Sequence, residues 1–196
     1  MKDKGLIYFQ DGVVVAEQGQ AKVYKMNGEL FLEIGPGHTL CAAESELPEY
    51  MNQIADFPKG NCLEIGLGLG TVSRYLLTFP SVQHLTTVEN NSDVIKVHSM
   101  VKEEDRSINI SYSPEKHKIL HADGIEYAYQ TRKKYDFIFM DCYNSIDDET
   151  LPLIADMAIA CSRILTRGGK MIGWVDKYTH GDYYSIFQKI FDQYQP

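Results

Sequence analysis

Several short apolar runs in this sequence end in residues suited to a nucleotide-like ligand. Leu63-Glu64-Ile65 runs into Gly66-Leu67-Gly68-Leu69-Gly70 and then Thr71. Glycines let a backbone turn sharply and let a ligand approach with no Cβ in the way. A helix beginning behind such a loop offers unpaired N–H groups. A second run ends in Val88-Glu89-Asn90, with Glu89 19 residues after Gly70. A carboxylate there is placed to accept hydrogen bonds from both hydroxyls of a ribose. A third run leads into Ala122-Asp123-Gly124. A fourth, Tyr135-Asp136-Phe137-Ile138-Phe139-Met140, ends in Asp141, followed by Cys142, Tyr143 and Asn144. An acid just past a buried strand can orient an acceptor or take its proton. The string Leu32-Glu33-Ile34-Gly35-Pro36-Gly37 repeats part of the glycine motif. It follows a hairpin, and neither a long helix nor a strand ending in an acid comes after it. It reads as a loop that could lie over the ligand.

The pattern around these residues supplies elements to hold them. From Asn61 onward, strands alternate with helices. The strands are read at Cys62–Ile65, His84–Glu89, Lys118–His121, Tyr135–Asp141 and Lys170–Val175. The helices are read near Thr71–Thr78, Ser92–Val101, Gly124–Arg132, Asp148–Leu165 and Asp182–Tyr194. Short apolar strands separated by helices predict a parallel, doubly wound α/β sheet of the Rossmann-like kind. Its ligand edge lies at the carboxyl ends of the strands. The first 42 residues differ. Asp11-Gly12 separates Leu6–Gln10 from Val13–Glu17, and Asn27-Gly28 separates Ala21–Met26 from Glu29–Ile34. Asp-Gly and Asn-Gly are hairpin turn pairs, so a small antiparallel β unit is expected. A helix follows at about Glu44–Asp56, with Pro48 in its first turn. The division is therefore 1–58 for the β unit plus helix and 59–196 for the Rossmann-like domain. If Lys170–Val175 is the last strand, its outer edge needs a partner. A homodimer is expected there, or coverage by the C-terminal helix or the N-terminal unit.

Composition narrows the function. The net charge is −8, and the only basic clusters, Arg132-Lys133-Lys134 and Arg163 with Arg167, are short. A nucleic-acid partner is not expected. No apolar run is long enough to span a membrane, and the polar start Met1–Gly5 carries no signal-peptide pattern. The cytoplasm is the expected compartment. Cys41, Cys62, Cys142 and Cys161 form no CxxC pair and stand at no metal-ligand spacing to a histidine. Cys62 and Cys161 read as buried small residues.

Glycine loop and Glu89 fit a dinucleotide fold as well as a methyl-donor fold. Three later features favour S-adenosylmethionine: Asp123 after the third strand, Asp141 after the fourth, and the Gly168-Gly169 turn before the last. The run from Asn61 to about Val175 resembles the class I S-adenosylmethionine-dependent methyltransferase superfamily, and within it the spermidine-synthase-like branch. The β unit ahead of the nucleotide fold adds to that resemblance. The resemblance implies that Glu64, Gly66, Gly68 and Gly70 cradle the methionine part and ribose of the cofactor. It places Glu89, with Asn90, at the ribose and Asp123 with Gly124 at adenine. It makes Asp141 the catalytic acid nearest the reacting centre, with Tyr143 and Asn144 lining the acceptor pocket.

Three departures bear on the reaction. Spermidine synthases carry a second acid three positions after the strand-end acid; here that position is Asn144. An amide cannot neutralise an ammonium group, so diamine binding is expected to weaken. The family's aromatic and acidic signature is not recognisable in Glu44–Ile54. With only one helix read after Val175, the final hairpin of that family's sheet is expected to be missing. A cation-dependent methyltransferase, using Asp141 and Asp176, would need Asn where Lys177 stands, so no metal is expected. The reading at this level is an S-adenosylmethionine-dependent methyltransferase acting on a small-molecule acceptor. The alternatives are aminopropyl transfer from decarboxylated S-adenosylmethionine and a non-catalytic adenosyl-binding module.

Overall fold

A computed structural model of the chain describes residues 12–195, apart from 36–38, 109, 111–112, 176–178 and 180. The first predicted strand, Leu6–Gln10, falls outside the described residues. So do Pro36 and Gly37 of the upstream glycine string, and Asp176 with Lys177.

The N-terminal strands are β1 (Val13–Gln18), β2 (Ala21–Met26), β3 (Glu29–Ile34) and β4 (Thr39–Ala43), paired antiparallel in that order. Asn27 and Gly28, at φ 53° and 84°, make the β2–β3 turn, the geometry that Asn-Gly favours. The fourth strand was not read from the sequence. A 3-10 turn at Glu44–Glu46 leads into helix α1 (Leu47–Ile54). Buried Glu44 ties this turn down by accepting hydrogen bonds from the Leu30 N–H, the Ser107 N–H and the Ser107 hydroxyl.

The second sheet contains β5 (Gly60–Ile65), β6 (Val82–Glu89), β7 (His117–His121), β8 (Tyr135–Met140) and β9 (Leu165–Gly173). All are parallel, in the order β7-β6-β5-β8-β9. The intervening helices are α2 (Thr71–Leu76), α3 (Ser92–Met100), α4 (Gly124–Gln130) and α5 (Leu151–Ser162), with α6 (Asp182–Gln193) after β9. This is the α/β class expected, and among the described residues no strand pairs with the outer edge of β9. The largest boundary difference is at the start of the last strand. The last strand begins at Leu165, and Gly168-Gly169 lies inside it, where the pairing to β8 jumps from Tyr135↔Leu165 to Phe137↔Lys170. The two glycines shape a bulge in the strand rather than a turn before it.

The outer edge of β9, and its continuation at Val175, meet two glutamines. Gln195 Nε2 donates to the Met171 carbonyl at 2.6 Å, and its Oε1 accepts from the Met171 N–H at 3.1 Å. Gln53, on α1, does the same at Val175, with Nε2 to the carbonyl at 2.7 Å and N–H to Oε1 at 3.0 Å. Each amide stands where the peptide group of a further strand would.

Two apolar clusters involve the parallel sheet. One includes Ile138, Met140, Ile154 and Phe187; the other includes Cys62, Leu76, Phe137, Phe139 and Tyr50. A third joins the two sheets: Ala16, Val23, Leu30 and Leu32 pack with Val94, Val97 and the loop leucines Leu67 and Leu69. The N-terminal sheet is therefore seated against α3 and the glycine loop. No helix among the described residues is long and apolar enough to cross a membrane.

Candidate functional site

The glycine loop leaves β5 at Gly66 with φ 96°. A methyl group on Gly66 would lie 2.1 Å from the Asp141 carbonyl oxygen, so only glycine lets the ends of β5 and β8 come this close. The Asp141 N–H donates to the Ile65 carbonyl at 2.9 Å, and the Gly66 N–H to the Val88 carbonyl at 2.9 Å. The ends of three adjacent strands are thereby knitted around the loop. Gly70 packs against the His98 ring, and Gly124 against Ile65 and Met157. Both positions are accounted for by packing without invoking a ligand.

A cleft of about 310 Å³ opens over this edge, and a chamber of about 40 Å³ adjoins it. The cleft is lined by Gly66, Gly68, Glu89, Asn90, Asp123, Gly124, Asp141, Tyr143 and Asn144, with Ile34 and Cys41 from the N-terminal strands. The chamber is lined by Glu64, Tyr50, Gly66, Gly68 and Asp141 among others. Asp141, Cys41, Gly66 and Gly68 belong to both walls. Of the residues expected at the site, Gly70 alone lines neither space.

The carboxylates are held differently. Glu89 is buried, and its oxygens accept from the Leu67 N–H at 2.9 Å and the Asn91 N–H at 2.8 Å. It fixes the loop to the end of β6, and each oxygen keeps a second lone pair. Asp123 is exposed and caps α4, accepting from the Glu126 N–H at 2.8 Å. Glu64 is buried, and its Oε2 accepts from the hydroxyls of Ser73 and Thr87. Burial outweighs those bonds and pushes its carboxyl up to about 8. Asp141 is pushed up to about 7, first by burial, with the Glu46 charge adding to the rise and a hydrogen bond from Tyr50 opposing it.

That bond was not foreseen. The Tyr50 hydroxyl donates to Asp141 Oδ2 at 2.7 Å and lies 3.4 Å from Glu46 Oε2. The Tyr50 ring rests on Trp174, with centroids 4.3 Å apart. The 3-10 turn ahead of α1 thus brings a second carboxylate, Glu46, close to the Tyr50–Asp141 pair. Nothing in the local pattern around residues 46–50 marks this, since the partner is 91 positions away. Tyr143 turns its hydroxyl to the Trp174 carbonyl at 2.8 Å. Asn144 is exposed on the cleft wall. Cys142 is exposed as a residue, but desolvation of its thiol and the neighbouring acids push it up, so it stays protonated at neutral pH.

A parallel sheet with a glycine loop after its central strand and acids at the ends of the strands beside it defines a Rossmann-like α/β fold. Residues 47–178 match the spermine/spermidine synthase domain, and the chain belongs to that family. It is 31% identical over 112 residues to a polyamine aminopropyltransferase of Prochlorococcus marinus (strain MIT 9312). That match covers 57% of this chain and 39% of the relative. The fold superposes on spermidine synthase from Thermotoga maritima with a TM-score of 0.70 at 16% identity, covering 95% of this chain and 64% of that one. A spermidine synthase in complex with the transition-state analogue AdoDATO gives 0.69 at 16% identity, covering 93% and 63%. The chain thus spans about two-fifths of its curated relative and under two-thirds of these solved structures.

These findings overturn the preference for methyl transfer to a small molecule. The preference rested on the missing acid at Asn144 and on an unrecognised signature in Glu44–Ile54. That same segment carries Glu46 and Tyr50 to Asp141. A carboxylate close in space need not be close in sequence.

Proposed function

We propose that this chain catalyses aminopropyl transfer from decarboxylated S-adenosylmethionine to a small amine acceptor. The observation that carries the reading is the Asp141 carboxyl, set where cleft and chamber meet, poised near neutrality and backed by Tyr50 and Glu46. The donor's sulfonium makes the attached propyl carbon electrophilic. The amine nitrogen forms a bond to that carbon, the carbon–sulfur bond breaks with its electron pair going to sulfur, and the amine proton passes to Asp141. A base with a pKa near the working pH suits that transfer. Tyr50 keeps Asp141 Oδ2 fixed, leaving its second oxygen for the amine. Glu46 supplies negative charge for a second ammonium group on a diamine or polyamine.

On the donor side, Glu89 and the neighbouring Asn90 meet the ribose, and the Asp123–Gly124 corner meets adenine. Gly66, Gly68 and Gly70 shape the loop, and Glu64 faces the aminopropyl part from the chamber. Tyr143 and Asn144 form the far wall on the acceptor side. Holding donor and acceptor in line supplies much of the acceleration.

The test is incubation of the chain with decarboxylated donor and putrescine, following methylthioadenosine and spermidine by mass spectrometry. Formation of both, abolished in Asp141→Asn while methylthioadenosine binding persists, is the expected result. Adenosyl binding without turnover of any di- or polyamine would reduce the chain to a binding module.

A further inference from the structure

The two glutamine clasps on β9 are alike in geometry but differ in what they hold. Gln195 follows α6, away from the cleft. Gln53 lies on α1, three positions after Tyr50. We propose that Gln53 is a positioning residue: its two-point clasp on Val175 sets where α1 sits against the end of β9, and this seat brings the Tyr50 hydroxyl to Asp141.

Helix α1 has eight residues, no side-chain hydrogen bond at its N-cap, and ends at Ala55 with φ 46°. So short a helix has little stability of its own, and its place is set by its contacts. Its buried apolar residues are Tyr50 and Ile54. Apolar burial is non-directional. Polar contacts with direction hold both of its ends. At the leading end Glu46 accepts from the Ala43 N–H at 3.0 Å. At the trailing end Gln53 both donates to and accepts from Val175, at 2.7 and 3.0 Å. Val175 follows Trp174, whose N–H donates to the Met140 carbonyl at 2.8 Å, next to Asp141. Trp174 also carries the Tyr50 ring. From Val175 onward the path from the Gln53 side chain to Asp141 therefore runs through backbone. A displacement of about 1 Å would turn the Tyr50–Asp141 bond into a contact with no hydrogen-bond character.

The inference rests on Asp141 as the acid of the reacting centre, and its test reads Asp141 without turnover. Facing Asp141 are Tyr50 and Glu46 from the α1 side, Glu64 across the chamber, and its neighbours Cys142 and Tyr143. The whole chain is labelled with 13C-carboxyl aspartate, and Asp141 is assigned by its loss in Asp141→Asn. Its titration is followed by NMR in the wild type, Tyr50→Phe, Gln53→Met and Gln195→Met. Methionine keeps the stem and removes only the amide. Tyr50→Phe is expected to raise the Asp141 midpoint by about one pH unit, since its bond favours the ionised form. Gln53→Met raises it in the same direction by about half as much or more, while Gln195→Met leaves it in place. If Gln53→Met does not fold, Gln53→Ala, which likewise removes the amide and adds no charge, is read by the same comparison. An unmoved midpoint in the Gln53 variant, or an equal rise in Gln195→Met, overturns the proposal and leaves both clasps as edge protection. Absence of aminopropyl transfer would overturn the functional reading and leave this result standing.

Discussion

Tyr50 and Asp141 stand 91 positions apart in the chain, and the hydroxyl of one donates to the carboxylate of the other at 2.7 Å. The bond lowers the Asp141 pKa, whereas the nearby Glu46 charge raises it. Asp141 must be ionised to accept a proton, so activity rises with pH through a limb near 7. Removing Tyr50 as a donor moves that limb to higher pH, and neutralising Glu46 moves it to lower pH. Rate–pH profiles of Tyr50→Phe and Glu46→Gln should therefore shift in opposite directions. Shifts of the same sign would remove one of the two residues from the site.

Glu46→Gln should also separate the two substrates. The amide still accepts from the Ala43 N–H but carries no charge for a distal ammonium group. KM for a diamine should rise about tenfold, the scale of one charge-assisted hydrogen bond. The affinity for methylthioadenosine, measured by calorimetry, should not change.

Glu89 ties the Leu67 and Asn91 N–H groups to the end of β6. Glu89→Ala removes the proposed ribose acceptor and frees two loop donors together. Methylthioadenosine binding should weaken by about 1–3 kcal/mol. An affinity within twofold of the wild type would exclude Glu89 from the donor site.

The Glu64 carboxyl is held at about 8 when folded against an ordinary 4.5. Between these values the folded state binds more protons than the unfolded state, so stability falls as pH rises through the window. Asp141, raised from 3.8 to about 7, acts in the same sense. Glu64→Gln removes one of the two contributions and keeps an acceptor for Ser73 and Thr87. Urea unfolding from pH 5 to pH 8 should show a shallower loss of stability in the variant. The difference in slope is at most about 1.4 kcal/mol per pH unit.

Gly66 and Gly28 offer a matched pair. Both have positive φ, 96° and 84°, but a methyl group on Gly28 meets nothing within 4 Å, whereas on Gly66 it meets the Asp141 carbonyl at 2.1 Å. Gly28→Ala should cost about 1–2 kcal/mol, the conformational penalty alone. Gly66→Ala should cost more and lower donor affinity as well. Equal losses in thermal unfolding would show that β5 and β8 can spread freely.

The parallel sheet was legible because its signals are local. The run Tyr135–Met140 is apolar apart from Asp136, and the residue after it must emerge at the carboxyl edge, so Asp141 was found by position. Glu89 followed from the length of one crossover. Strand β4 was missed because Thr39–Ala43 has no clear alternation, and its pairing with β3 shifts register between Leu32 and Glu33. The start of β9 was missed because Leu165 pairs with Tyr135 across a bulge that reads as a Gly-Gly turn. Tyr50 and Glu46 were missed for a deeper reason. Their place depends on how a two-turn helix settles on a sheet edge, and no spacing within residues 44–54 encodes that. Reading Asn144 as a lost charge followed from looking for its replacement only along the chain.

The glycine motif has two residues that are not glycine, and both point inward: Leu67 and Leu69 are 4% and 3% exposed, in one cluster with Ala16, Val23, Leu30 and Leu32. They are rivets between the sheets. Parting the sheets would pull both leucines into water, at about 1.5–3 kcal/mol each. The loop's shape is thereby settled when the protein folds, before any donor arrives. On the proposed reading the donor then meets a cast rather than a glove, already shaped by the packing between the two sheets.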